Sequence, residues 1–143
     1  DGFFSVQSKL VKMLPVIPLF GGGNNRFQCV YVKDLVLGLT KILNLEDSKG
    51  KIYEFGGPDV LSMKEIYKLI MNTLNIKRLL FPTPLSLAAI MGFVMQFLPR
   101  PIITYDQVKM LGQDNIVNEK KNTLESLGIK KHSAKDLIQN FIK

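Results

Sequence analysis

All seven prolines, and the chain's only runs of adjacent glycines, fall within the first 101 of its 143 residues. Pro15, Pro18, Pro58, Pro82, Pro84, Pro99 and Pro101, with Gly21-Gly22-Gly23 and Gly56-Gly57, cut that region into short pieces. Proline fixes φ and removes a backbone donor, so neither a long helix nor a central strand runs through these points. The pieces between them alternate in apolar period. Phe3 to Leu14 repeats at helical spacing and stops at Pro15. Val16 to Phe20 is short, apolar and Pro-interrupted, which reads as an extended edge. Beyond the glycine turn, Phe27 to Val32 is β-branched and aromatic and reads as a strand. Asp34 then opens a helix to about Leu45, its charge suiting the positive end of the helix dipole.

The alternation continues. Lys51 to Phe55 reads as a second strand, broken by Gly56-Gly57-Pro58. Ser62 and Glu65 have capping-box spacing and start a helix to about Asn75. Lys77 to Phe81 is a third short strand, after which Thr83 caps helix 84–98 with Pro84 at its first position. Thr104 and Gln107 open a helix to about Leu111, and Asn122 to Leu127 is a short helix closed by Gly128. Ser133 and Asp136 begin the last helix, to about Phe141. The order is α/β passing into mainly α. Strands 27–32 and 51–55, joined by a helix, are expected to be parallel, whether in one sheet or two.

Composition closes off several classes. With 46% hydrophobic and 22% charged residues the chain is neither a disordered tail nor a disulfide scaffold. A lone cysteine, Cys29, and a lone histidine, His132, cannot build a His/Cys zinc site. The net charge of +7 is spread evenly, and 16 of the 19 basic residues are Lys, unlike the concentrated footprint of a nucleic-acid binder. A solvated basic surface is the plain reading, and attraction to an anionic membrane surface the alternative. The apolar run Leu85 to Leu98 falls short of the roughly 20 residues that span a bilayer. Asp1-Gly2-Phe3-Phe4 has no initiator Met and no basic leader, so the chain is expected to be a piece of something longer.

The residues suggest little chemistry of their own. Gly21-Gly22-Gly23 fits no phosphate-loop pattern and precedes a strand, and Gly57 lies five residues before its helix cap. Tyr105 and Lys109 form Y-x-x-x-K on one helix face, a pattern common by chance, and read as a Tyr beside a solvated Lys. His132 has no nucleophile turn to serve and reads as a surface residue at a helix start. Cys29 reads as a small buried hydrophobe. Arg26, one of only three arginines, stands between turn and strand. There it suits recognition of a phosphate or carboxylate ligand, or pairs with a nearby carboxylate. No catalytic or metal-binding residue is assigned.

The stretch Gly21 to Leu35, with Arg26-Phe27, Val30, Val32 and Asp34, resembles the "R-F-x-x-V-x-V-x-D" segment of extended and atypical short-chain dehydrogenases/reductases. Three further matches follow in order: Lys51 to Pro58, then Asp106 to Leu111 with Asp114 to Val117, then Leu124 to Leu137. Together they resemble one subgroup, the nucleotide-binding accessory subunits of complex I, NADH–ubiquinone oxidoreductase, and their bacterial homologues. The resemblance implies an α/β fold: the C-terminal portion of an NAD(P)-binding Rossmann-like fold, with few short strands plus a mainly helical substrate-side lobe. The late Rossmann elements would occupy about 1–82 and the helical C-terminal lobe about 83–143. The N-terminal dinucleotide-binding half, with the family's glycine turn and its Y-x-x-x-K, would lie upstream of Asp1. Tyr105 and Lys109 are then in the wrong place to be that motif. Arg26 aligns with the arginine that epimerase relatives use on the substrate diphosphate, but their downstream partner arginine is missing from 102–112.

Three functions follow as expectations. The first is an accessory subunit of the complex I type, with NAD or NADP bound by the full-length protein and none by this chain alone. The second is a nucleotide-sugar epimerase, dehydratase or reductase that anchors the diphosphate on Arg26. The third is an interaction module docking through helix 84–98. Expected partners are the N-terminal Rossmann half, complex I subunits or a membrane surface, and further copies of the chain, but not nucleic acid. The expected location is cytoplasmic or matrix-like, or peripheral at the inner membrane.

Overall fold

In the computed structural model, residues 2–95, 97, 105–118 and 122–142 are described, apart from the side chains of Met91, Met95, Tyr105, Gln107 and Lys109. The expected caps at Thr104 and Gln107, the Tyr105–Lys109 pair and Arg100 therefore lie outside the description.

Helix α1 (Phe3–Met13) leads into strand β1 (Val16–Phe20), whose pairing partner is β4 (Leu79–Thr83). The two run parallel, Val16 opposite Leu79 and Phe20 opposite Thr83. The third strand is thus real but sits two residues later than its sequence suggests, because Pro15 supplies the carbonyl that Leu79 donates to. Ile17 and Leu19 face the core, as the two-residue period of a strand requires. Helix α3 (Met63–Leu74) packs across α1, and Phe4, Val11, Ile66, Tyr67 and Ile70 form the centre of the main cluster. Its capping box is complete: Glu65 N–H donates to Ser62 Oγ at 3.2 Å and Ser62 N–H to Glu65 Oε2 at 2.8 Å. Asn75, at φ +53, ends it in the left-handed region. The Tyr67 hydroxyl donates to Gln7 Oε1 at 2.6 Å, and burial pushes its pKa up to about 12.

Two expected strands are nearly absent. The segment 27–32 contributes only β2 (Arg26–Phe27), antiparallel to β3 (Leu61–Ser62), and α2 (Val32–Leu43) starts at Val32 rather than Asp34. The segment 51–55 makes a single bridge, Tyr53 to Asn122. Both have strand composition, but a strand persists only where a neighbour supplies a ladder. In place of the expected helix 122–127, Asn122 forms the bridge and residues 124–128 form turns. They still end as a helix would: Ile129 N–H donates to Leu124 O, Gly128 N–H to Glu125 O, and Gly128 takes φ +66.

Helix α4 (Leu85–Met95) follows β4, and α5 (Tyr105–Met110) packs on it through Ala88 and Val108. Thr83 Oγ1 donates to the Phe81 carbonyl and Pro84 O accepts from Ala88, so Pro84 stands at the helix boundary rather than inside it. The last helix, α6 (Ala134–Leu137), runs on into a 3₁₀ turn at Ile138–Asn140. Ser133 caps it through a hydrogen bond from Lys135 N–H, as expected.

Candidate functional site

Strand β2 sets Arg26 at the junction of three chain segments. The glycine turn before it has φ +62, +76 and +70 at Gly21, Gly22 and Gly23, a left-handed path closed to most L-residues. That turn delivers Arg26 opposite Ser62 on one side and Asp114 on the other. The Arg26 amide donates to Asp114 Oδ1 at 2.8 Å, while Nε and Nη2 donate to Oδ2 at 2.9 and 2.7 Å. Hydrogen bonds from the Arg26 side chain and amide hold the Asp114 carboxyl below the usual carboxylate range. Asn115 N–H donates to Arg26 O, and Gln28 N–H to Asn115 O, so 26–28 and 114–115 run side by side. The sequence raised a carboxylate partner for Arg26 without naming it; 88 residues of separation hide Asp114.

Next to this pair, Gln28 ties two further segments together. Its Nε2 donates to Gly57 O at 2.8 Å and its Oε1 accepts from Val117 N–H at 3.0 Å. Glu54 Oε2 accepts from Asn118 N–H at 2.7 Å. Gln28, Glu54, Phe55 and residues 115–117 line a cleft of about 260 Å³. The glycines here serve close approach. A Cβ on Gly56 would meet the Gln28 side chain at 2.7 Å and Val117 at 2.8 Å, and one on Gly57 would run into the Cys29 carbonyl. Cys29 itself is half-buried, and burial pushes its thiol up.

His132 is a half-exposed residue just before the α6 cap, as expected, but it is also paired. The Asp34 carboxylate is wholly buried; Oδ2 accepts the His132 amide at 2.8 Å and Oδ1 lies 2.7 Å from Nδ1. Asp34 therefore serves more than the helix dipole. Tyr31 meets the imidazole edge-on at 5.5 Å. The Ser133 hydroxyl donates to Asp59 Oδ2 at 2.6 Å, so this serine belongs to a cap rather than to a Ser-His-Asp relay.

No family model matches the chain. Over 99% of its length it is 31% identical to the mitochondrial NADH dehydrogenase (ubiquinone) 1 alpha subcomplex subunit 9 of Arabidopsis thaliana. The chain is a homologue of these subunits. The Dictyostelium discoideum protein of the same name is 26% identical over 90% of the chain. The chain spans 38% and 37% of the lengths of these two relatives. Among solved structures, the triphenylmethane reductase of Citrobacter sp., complexed with NADP(H), superposes with a TM-score of 0.70 at 13% identity. It covers 97% of this chain and 48% of the reductase. The chain thus has the Rossmann-like α/β fold of that reductase over about half of the reductase's length, as the resemblance implied.

Proposed function

We propose that this chain is the C-terminal part of an NAD(P)-binding accessory subunit of the NADH–ubiquinone oxidoreductase type. Its role on this reading is nucleotide binding and structural support of the assembly. The observation that carries the reading is the 31% identity to a subunit 9 protein across 99% of the chain.

The dinucleotide belongs to the rest of the protein on this reading. A pyrophosphate site needs backbone amides at a helix N-terminus behind a glycine turn. Gly21–Gly23 leads into β2, and Gly56–Gly57 is packed against Cys29 and Gln28. Neither glycine cluster offers the cradle.

Two apolar surfaces suit partners. On α2, Val32, Val36, Leu39 and Leu43 recur at i, i+4, i+7 and i+11 and are all exposed, while Asp34 and Gly38 face inward. Ile52, in the segment that lacks a ladder, is exposed as well. The N-terminal Rossmann half would cover this stripe and complete the strand at 51–55. On α4, Leu87, Ile90, Phe93 and Val94 are exposed together with Phe97, and this face would meet a complex I neighbour or the membrane surface. No helix among the described residues is long and apolar enough to cross a membrane.

The test is direct. Calorimetry should show NADH or NADPH binding to the full-length protein and none to residues 1–143 alone. Native electrophoresis of solubilised membranes should place the full-length protein in complex I. Binding by the 143 residues, or migration of the full-length protein apart from the complex, overturns the reading.

A further inference from the structure

The groove between the C-terminal turns of α2 and residues 128–132 has no role in the function proposed above. It is an open groove of about 550 Å³, a volume within the range of small-ligand sites. Leu37 and Ile129 give it an apolar lining, and Lys41, Lys130 and His132 also line it. We propose that this groove binds a phosphate-bearing ligand, held by the ammonium groups of Lys41 and Lys130 and by the imidazole of His132.

Among the described residues no carboxylate lines the groove. Two carboxylates near it in the chain are engaged elsewhere: Glu125 pairs with Lys131, and Asp34 accepts the His132 amide and lies against its Nδ1. The charged groups of the described lining are Lys41, Lys130 and His132. Lys41 reaches from α2 toward the turn at Gly128, where a Cβ would stand 3.7 Å from its Nζ. This places an ammonium against the loop that carries Lys130 and His132.

The histidine adds a fixed direction. It is half-exposed, yet it is held from two sides, by a carboxylate with no exposed surface and by the edge of Tyr31. With Nδ1 against Asp34, Nε2 is the ring nitrogen left for a ligand, and it donates to a phosphate oxygen when the ring carries both protons. A single histidine without a second ligating side chain in the lining does not make a metal site. Lysines act on phosphate as point charges, and Leu37 and Ile129 would meet the carbon part of an ester or a lipid headgroup.

The experiment uses the full-length protein with excess NADH, so that a dinucleotide site elsewhere is filled. Inorganic pyrophosphate is titrated by calorimetry at low salt. Phosphatidylglycerol vesicles, compared with phosphatidylcholine vesicles, form the second arm. Lys41→Gln with Lys130→Gln keeps the apolar stems and should weaken the probe that binds by roughly tenfold or more, as expected for lost hydrogen bonds to a charged group. His132→Asn should weaken it less. Pyrophosphate binding identifies a soluble phosphate ester, and binding confined to phosphatidylglycerol identifies a headgroup. Absence of binding by either probe, or equal binding by wild type and the double variant, overturns the proposal. Both lysines are exposed, so the double variant should melt with the wild type.

Discussion

Arg26 gives three hydrogen bonds to one carboxylate, and that geometry limits what else it can hold. An anionic substrate at this position would have to displace Asp114 or share the guanidinium with it. If the full-length protein takes a nucleotide diphosphate here, Asp114→Ala should tighten that ligand. Arg26→Ala should weaken it by about 1.5–3 kcal/mol, the range for hydrogen bonds to charged groups. Calorimetry on the two variants tests this, and unchanged affinity in both makes Arg26 a structural residue. The carboxylates also set an acid limit. Hydrogen bonds to Arg26 hold Asp114 low, those to Ser62 hold Glu65 low, and Lys131 holds Glu125 low. At Asp59, burial pushes the carboxyl up, but Ser133 and the amides and charge beyond it outweigh that and bring it down. A carboxyl with a depressed folded-state pKa binds protons more weakly folded than unfolded. Its contribution is complete above the unfolded value, about 4, and is lost as pH falls through the folded one. The melting midpoint should therefore stay level from neutral pH to about 5 and drop below about 4. Asp114→Asn should flatten part of that drop.

At the level of elements, what could be read from the sequence depended on how local its cause is. The Ser62–Glu65 box, the Ser133 cap and the Gly128 turn each arise within a few residues, and each is found. The stops at Pro15 and Gly21 likewise bound α1 and β1. Strands depend on neighbours far along the chain, so Lys51 to Phe55 has the right composition and yet makes one bridge. The candidate site was legible only as Arg26; Asp114, Gln28 and the Asp34–His132 pair are tertiary and leave no local signal. The glycines at 56–57 were visible, but their reason was not, since it lies in the Cys29 carbonyl and the Gln28 side chain. Gly57→Ala should destabilise by about 1–3 kcal/mol through overpacking. Ile66→Ala, at the centre of the α1–α3 contact, should cost about 2–5 kcal/mol through the cavity it leaves. Chemical denaturation of both variants gives these numbers, and a neutral Gly57→Ala would remove the close-approach account.

For the whole molecule, the two exposed apolar faces make opposite predictions in the two forms of the protein. Monomers rarely leave large apolar patches bare, so residues 1–143 alone should self-associate in light scattering. On α4, Phe93 and Phe97 meet edge-on at 5.7 Å and both are exposed. On α2, Val36 and Leu43 are exposed in the second stripe. If the N-terminal Rossmann half covers α2, serine at Val36 or Leu43 should destabilise the full-length protein. The expected loss is about 1.5–3 kcal/mol per side chain, the value of a buried aliphatic group. The same substitutions should barely change the stability of residues 1–143, where nothing covers them, and should reduce its self-association. If α4 instead faces an outside partner, Phe93→Ser with Phe97→Ser should leave full-length stability unchanged. That double variant should lower binding to phosphatidylglycerol vesicles or to complex I. Melting curves of the two variant sets, taken in both forms of the protein, separate the surfaces. A full-length protein that tolerates serine on α2 has its Rossmann half elsewhere, and one that unfolds with serine on α4 buries that helix in its own core.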